Sequence, residues 1–215
     1  MYIKQAIVSI LMVVITFVAI RSCLPESTNL GNSNHDISEQ KIIIIPVAGI
    51  PPLFLQQLEN KLEKLHNTDV LITTVMGTGT EILIPGSDQY NANYLASKGI
   101  EIGKRIGRDN SFIVVLTNED INIPKSGLRY VYSAHYDGVS VTSLARINDM
   151  NHGVIPKLIE IPGMFLKMQQ RALKIINKAI GYGVYGYKTS SDINSVMYGP
   201  IMGPQDLDRV GNWYE

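Results

Sequence analysis

The sequence predicts an α/β (α+β) domain built on a mixed β-sheet with about three helices and an irregular C-terminal segment. Two observations carry this. Short β-branched runs such as Ile42-Ile43-Ile44-Ile45 and Phe112-Ile113-Val114-Val115-Leu116 are bounded by Gly, Pro and Asn, the signature of buried strands. Segments with apolar residues at helical spacing alternate with them, and the order β-α-β-α-β-β-β-α-loop implies a mixed sheet.

The first strand is expected at 42–47. Pro51-Pro52 then opens a helix whose Leu55, Leu58, Leu62 and Leu65 share one face, with Glu59, Lys61, Glu63 and Lys64 between them. A second strand is expected at 70–75, a second helix at 88–108 and a third strand at 112–116. Two further strands are expected at 129–132 and 139–145, separated by His135-Tyr136-Asp137-Gly138. Residues 148–162 read as a loop or insertion, and a last helix at 166–180 carries Leu173, Ile176 and Ile180 on one face. The remainder reads as loop.

The chain has 215 residues, 45% of them hydrophobic, enough for one core plus a terminal extension. Lys+Arg and Asp+Glu balance at 19 each, so no global field points to nucleic acid or to an acidic substrate. Residues 1–23 read as an export signal or membrane anchor: Lys4 precedes an apolar run at 6–20, and Arg21-Ser22-Cys23 follows. The run is short for a permanent span. Ile20-Arg21-Ser22-Cys23 resembles a bacterial lipobox, which makes Cys23 a lipidation candidate; an uncleaved anchor and a plain cleaved signal stay open beside it. The single cysteine excludes an intrachain disulfide. Residues 24–40 are polar, without periodicity, and read as a flexible tether, leaving 41–215 as the folded domain. The expected location is exported and membrane-anchored, with the domain on the extracytoplasmic side.

Several local motifs occur in a telling order. Gln89-Tyr90 opens the second helix, and Thr117-Asn118-Glu119-Asp120 closes the third strand. Tyr130-Val131-Tyr132 is an aromatic-rich strand, and Val141-Thr142-Ser143-Leu144-Ala145-Arg146 follows. Together they resemble the archaemetzincin (archaelysin) family of metzincin zinc metallopeptidases, and they span nearly all of 41–215. The resemblance implies a metzincin-like single domain whose C-terminal segment contains a Met-turn. It also implies a motif HExxHxxGxxHC in which three histidines hold zinc and a glutamate activates water.

Counting back from Met197 as the Met-turn methionine, Gly186 takes the motif glycine, while Ser190 and Ser195 take the cysteine positions. Thr189, Gly183 and Ala179 fall on the three histidines and Ile180 on the glutamate. None of these four vacated positions supplies an imidazole or a carboxylate, so neither zinc, nor any other cofactor, nor catalysis at this site is expected. Gly186 and Met197 remain as structural positions. Tyr182, Tyr185 and Tyr187 are candidates to line the vacated cleft, or to pack in the core. His135-Tyr136-Asp137 reads as a hairpin feature and Glu119-Asp120 as loop caps. Gly77-Thr78-Gly79-Thr80 lacks the lysine of a phosphate loop. The expected function is that of a non-catalytic pseudo-peptidase at a membrane surface, acting in binding or assembly with a peptide or protein partner. The alternative is a peptide hydrolase working through a relocated or unrecognised site.

Overall fold

Two uninterrupted apolar strands organise the domain. β1 (Ile42–Pro46) and β4 (Phe112–Thr117) are buried along their whole length, which requires cover on both sheet faces. The computed structural model describes residues 41–107, 110–147 and 162–214. The export segment 1–23, the tether 24–40 and the insertion at 148–161 lie outside them.

The main sheet has the order β2-β1-β4-β7-β6, with β2 at Val70–Ile72, β6 at Ser133–Tyr136 and β7 at Val139–Ser143. Its first four strands run parallel, and β6 pairs antiparallel with β7. A small two-stranded sheet joins β3 (Tyr90–Asn91) to β5 (Ile121–Asn122).

Alternation along the strands divides the core in two. Ile42, Ile44, Phe112, Val114 and Leu116 meet α1 (Pro52–His66) and α3 (Pro162–Gly183) on one face. Ile43, Ile45, Ile113 and Val115 meet α2 (Ala92–Arg105) on the other. The approach of α2 is close: a Cβ at Gly99 would lie 2.6 Å from Val115 Cγ2. The mixed sheet between helical layers agrees with the expected fold class. A fourth helix, α4 (Pro204–Arg209), lies in the segment expected to be loop; six residues are too few for a periodic pattern.

Other boundaries differ from expectation for local reasons. α2 starts at Ala92 rather than at 88 because the Asn91 side chain accepts from the Asn93 and Tyr94 amides and caps the helix there. The strand expected at 129–132 lies at Ser133–Tyr136 because Asp137-Gly138 alone makes the turn, with Gly138 at φ 69°. Among the described residues no helix is long and apolar enough to cross a membrane.

α4 is fixed to α3 by a buried charge. Arg171 is only 2% exposed; it donates to both Asp208 carboxylate oxygens, at 2.7 and 2.6 Å, and to the Ile147 carbonyl at 2.7 Å. Removing one partner of a buried pair costs about 3–5 kcal/mol because the other charge is stranded. Asp208 retains solvent contact on its outer side, which discounts that figure. Asp208→Asn should therefore lower stability by about 2–4 kcal/mol, read as a shift of the urea midpoint at unchanged slope.

Candidate functional site

α3 lies across one face of the sheet, and its helical period sorts its residues onto two sides. Ala179 and Ile180 are fully buried, Ile180 among core side chains from β1, β4 and α1. A Cβ on Gly183 would come within 1.9 Å of the Phe112 ring, so this position also abuts the core. Lys174, Lys178 and Tyr182 instead line a groove of about 480 Å³ between α3, the β6 edge and the C-terminal segment. Their i, i+4, i+8 spacing keeps them on one stripe.

The groove wall combines apolar surface with hydrogen-bonding groups. Ile175, Val196, Ile201 and Val131 supply the first. The Lys174 ammonium donates to the Leu207 and Val210 carbonyls, each at 2.7 Å. Lys178 Nζ donates to the Tyr198 carbonyl, and burial pushes its ammonium down to about 8. The rings of Tyr182 and His135 lie 4.7 Å apart. His135 Nδ1 is 2.9 Å from Ser140 Oγ, which meets Ser133 Oγ at 3.1 Å; Ser133 Oγ also meets Thr142 Oγ1 at 3.0 Å. This hydroxyl ladder makes the groove face of β6 and β7 polar.

β6 is an edge strand. The Ser143 amide donates to the Tyr132 carbonyl at 2.9 Å, and His135 sits opposite Ser140. In an antiparallel ladder alternate pairs exchange hydrogen bonds. The peptide groups of Ser133 and His135 therefore point away from β7 and have no backbone partner among the described residues.

Of the four positions counted as vacated, only Thr189 joins this cluster: its hydroxyl shares a 2.6 Å hydrogen bond with Tyr182 Oη. Gly186, at φ 67°, turns the chain beyond α3, and the Tyr187 amide reaches back to the Gly181 carbonyl at 2.9 Å. Met197 is buried beneath α3; a Cβ at Gly181 would lie 2.5 Å from its sulfur.

The candidate tyrosines separate. Tyr182 lines the groove, whereas Tyr185 and Tyr187 pack against Tyr214, edge-on and tilted, at 5.3 and 4.8 Å between ring centroids. Tyr185 Oη also meets His66 Nδ1 at 2.9 Å. The cause is that α3 ends at Gly183 and the chain then turns towards the end of α1. Asp120 is bound by Arg146, whose guanidinium lies 3.9 Å over the Tyr130 ring. Glu119 is exposed, and with Asp88 and Asp120 it lines a separate pocket that also holds Arg129 and Arg146.

The donor set does not fit a zinc ion. Site-bound zinc takes three or four imidazole, thiolate or carboxylate ligands. The groove offers one imidazole, hydroxyls and three cations, Arg129, Lys174 and Lys178, that repel a metal ion, and among the described residues no three His, Cys, Asp or Glu side chains gather.

Lys174, Lys178 and the hydroxyl ladder are absent from the sequence-based site. Their signal was present: two lysines and a tyrosine recur at four-residue spacing along one stripe of the helix.

No family model matches the chain, and no curated protein is similar to it in sequence. Solved structures are. The archaemetzincin from Archaeoglobus fulgidus, complexed with malonate, superposes with a TM-score of 0.61 at 22% identity, covering 82% of this chain and 96% of that one. This is an archaemetzincin-like fold. The archaemetzincin from Methanopyrus kandleri gives 0.62 at 19% identity, with 86% and 92% covered. A zinc-dependent peptidase from Methanocorpusculum labreanum gives 0.62 at 16% identity, with 81% and 95% covered. At these identities the likeness is one of fold.

Two imidazoles make the fold acid-sensitive. Burial lowers His66 to about 4; its Nε2 is enclosed without a hydrogen-bond partner among the described residues, and nearby Asn177 offsets this only in part. His135 is lowered to about 4 by the groups crowding its ring and by the Lys178 ammonium, although it keeps exposed surface at the groove mouth. Both folded values lie below the ordinary 6.5, so in that interval the unfolded chain binds more protons. Stability is complete above about pH 6.5 and should fall as pH drops towards about 4. The urea midpoint measured between pH 7 and 4.5 should show this slope. His66→Gln should flatten most of it and His135→Gln, more open to solvent, less.

Proposed function

We propose that this protein is a non-catalytic counterpart of the archaemetzincin peptidases that binds extended peptide in the groove between α3 and β6. The observation that carries the reading is the stripe Lys174, Lys178 and Tyr182 on the groove face of α3. Lysine and phenol side chains, not imidazoles and a carboxylate, are what this face of the helix offers a ligand. What a peptidase groove also needs is retained: an edge strand with outward peptide groups and a partly apolar wall. An extended chain adds to such an edge through its main chain, and its alternate side chains enter the wall.

The test is metal content and hydrolysis together. Full-length protein purified without chelators should carry no stoichiometric zinc and should leave a fluorogenic peptide library uncut, with or without added zinc. About one tightly held zinc per chain, with hydrolysis abolished by chelation, would overturn the reading and favour a peptide hydrolase with a relocated site.

We further propose that residues 1–23 hold the domain at a membrane surface, with Cys23 as the lipidated residue. Cys23→Ala should then leave a precursor of larger mass or shift the protein out of the membrane fraction. Unchanged mass and partitioning would instead support an uncleaved helical anchor.

A further inference from the structure

One cation of the groove has no carboxylate partner among the described residues. Its lining includes three cations, Arg129, Lys174 and Lys178, and no carboxylate. Lys174 spends its ammonium on two carbonyls. Lys178 gives one hydrogen bond, to the Tyr198 carbonyl. An ammonium has three donors, and among the described residues no carboxylate lies within ion-pair distance of Lys178. A half-buried cation without a counter-ion is costly, and a bound anion relieves that cost.

The neighbouring groups extend the same site. Tyr182, one turn beyond Lys178, shares a hydrogen bond with Thr189 at 2.6 Å. Only one hydroxyl hydrogen lies between those oxygens, so the other is left to donate outwards. Ser133 and His135, whose peptide groups point outwards, line the same groove as the lysine; the His135 imidazole lies 4.7 Å from the Tyr182 ring and feels the Lys178 charge. A chain laid along β6 thus reaches the ammonium within the groove. Ile175, Val196 and Ile201 then form an apolar wall beside that point.

We infer that the groove captures the carboxyl terminus of a peptide: main chain on the β6 edge, the last side chain against the apolar wall, and the terminal carboxylate on Lys178 Nζ with a hydroxyl of the Tyr182–Thr189 pair. The inference deepens the peptide-binding reading above and rests on it. It assigns Lys178 the role of a fixed cation facing the ligand, and it selects chain ends over internal segments.

The test uses two matched pools of fluorescein-labelled hexapeptides, randomised over apolar residues at the last three positions. One pool has free carboxyl termini and the other carboxamides. Binding to the full-length chain is measured by fluorescence polarisation for wild type, Lys178→Met and Lys178→Arg, with thermal melts confirming that each variant is folded. A hydrogen bond to a charged group implies that wild type prefers the free acids by about tenfold or more. Lys178→Met should erase that preference by weakening only the free-acid pool, and Lys178→Arg should keep most of it. Equal binding of the two pools to wild type overturns the inference while leaving the peptide groove standing. A preference that persists in Lys178→Met also overturns it. Binding of neither pool overturns both readings. Should Lys178→Met fail to fold, the acid-over-amide ratio in wild type and Lys178→Arg still decides the matter.

Discussion

The rotation of α3 about its own axis is the constraint on which the site depends. Phe165, Met168, Ala172, Ile176 and Ile180 are buried against the sheet and α1, and a helix turns through about 100° per residue. Once those side chains are seated, the facing of every other position is decided. Lys174, Lys178 and Tyr182 then fall on the groove side, while Ala179 and Gly183, each one residue further on, are carried to the core. The chemistry of the groove is thus set by hydrophobic packing on the far side of the same helix.

The polar residues of α3 also hold the irregular C-terminal segment. Such a segment has few ladder partners for its carbonyls, and buried carbonyls must be satisfied. Side chains of α3 supply the donors. Lys174 takes the Leu207 and Val210 carbonyls, Asn177 takes that of Asn212, and Lys178 takes that of Tyr198. Arg171 adds the ion pair to Asp208. One helix therefore serves the core, the groove and the chain that closes the groove, and substitutions on it are coupled through shared neighbours.

What could be read from the sequence follows from how strongly each element is patterned. β1 and β4 were legible because burial on both faces demands unbroken apolar runs. α1 was legible from its prolines and leucine spacing. β6 was not, since its groove-facing Ser133 and His135 meet the hydroxyls of Ser140 and Thr142 rather than apolar side chains, and the period-2 hydrophobic signal is lost. The groove was legible only in part. Of the positions counted from Met197, Thr189 hydrogen-bonds the groove residue Tyr182, whereas Ala179 and Gly183 face the core beside Lys178 and Tyr182. A linear count carries no information about which face of the helix a residue takes, whereas core packing determines it.

The chain contains a single tryptophan, Trp213, at its C-terminal end. Its ring lies 5.6 Å from that of His66 and 4.7 Å from that of Tyr214, with part of its surface open to water. The Val196 amide holds the Trp213 carbonyl at 2.7 Å. The molecule therefore carries its own optical probe at the seam where the C-terminal strap meets α1. Intrinsic emission reports the seating of that strap, without any label and separately from the far-ultraviolet signal of the helices.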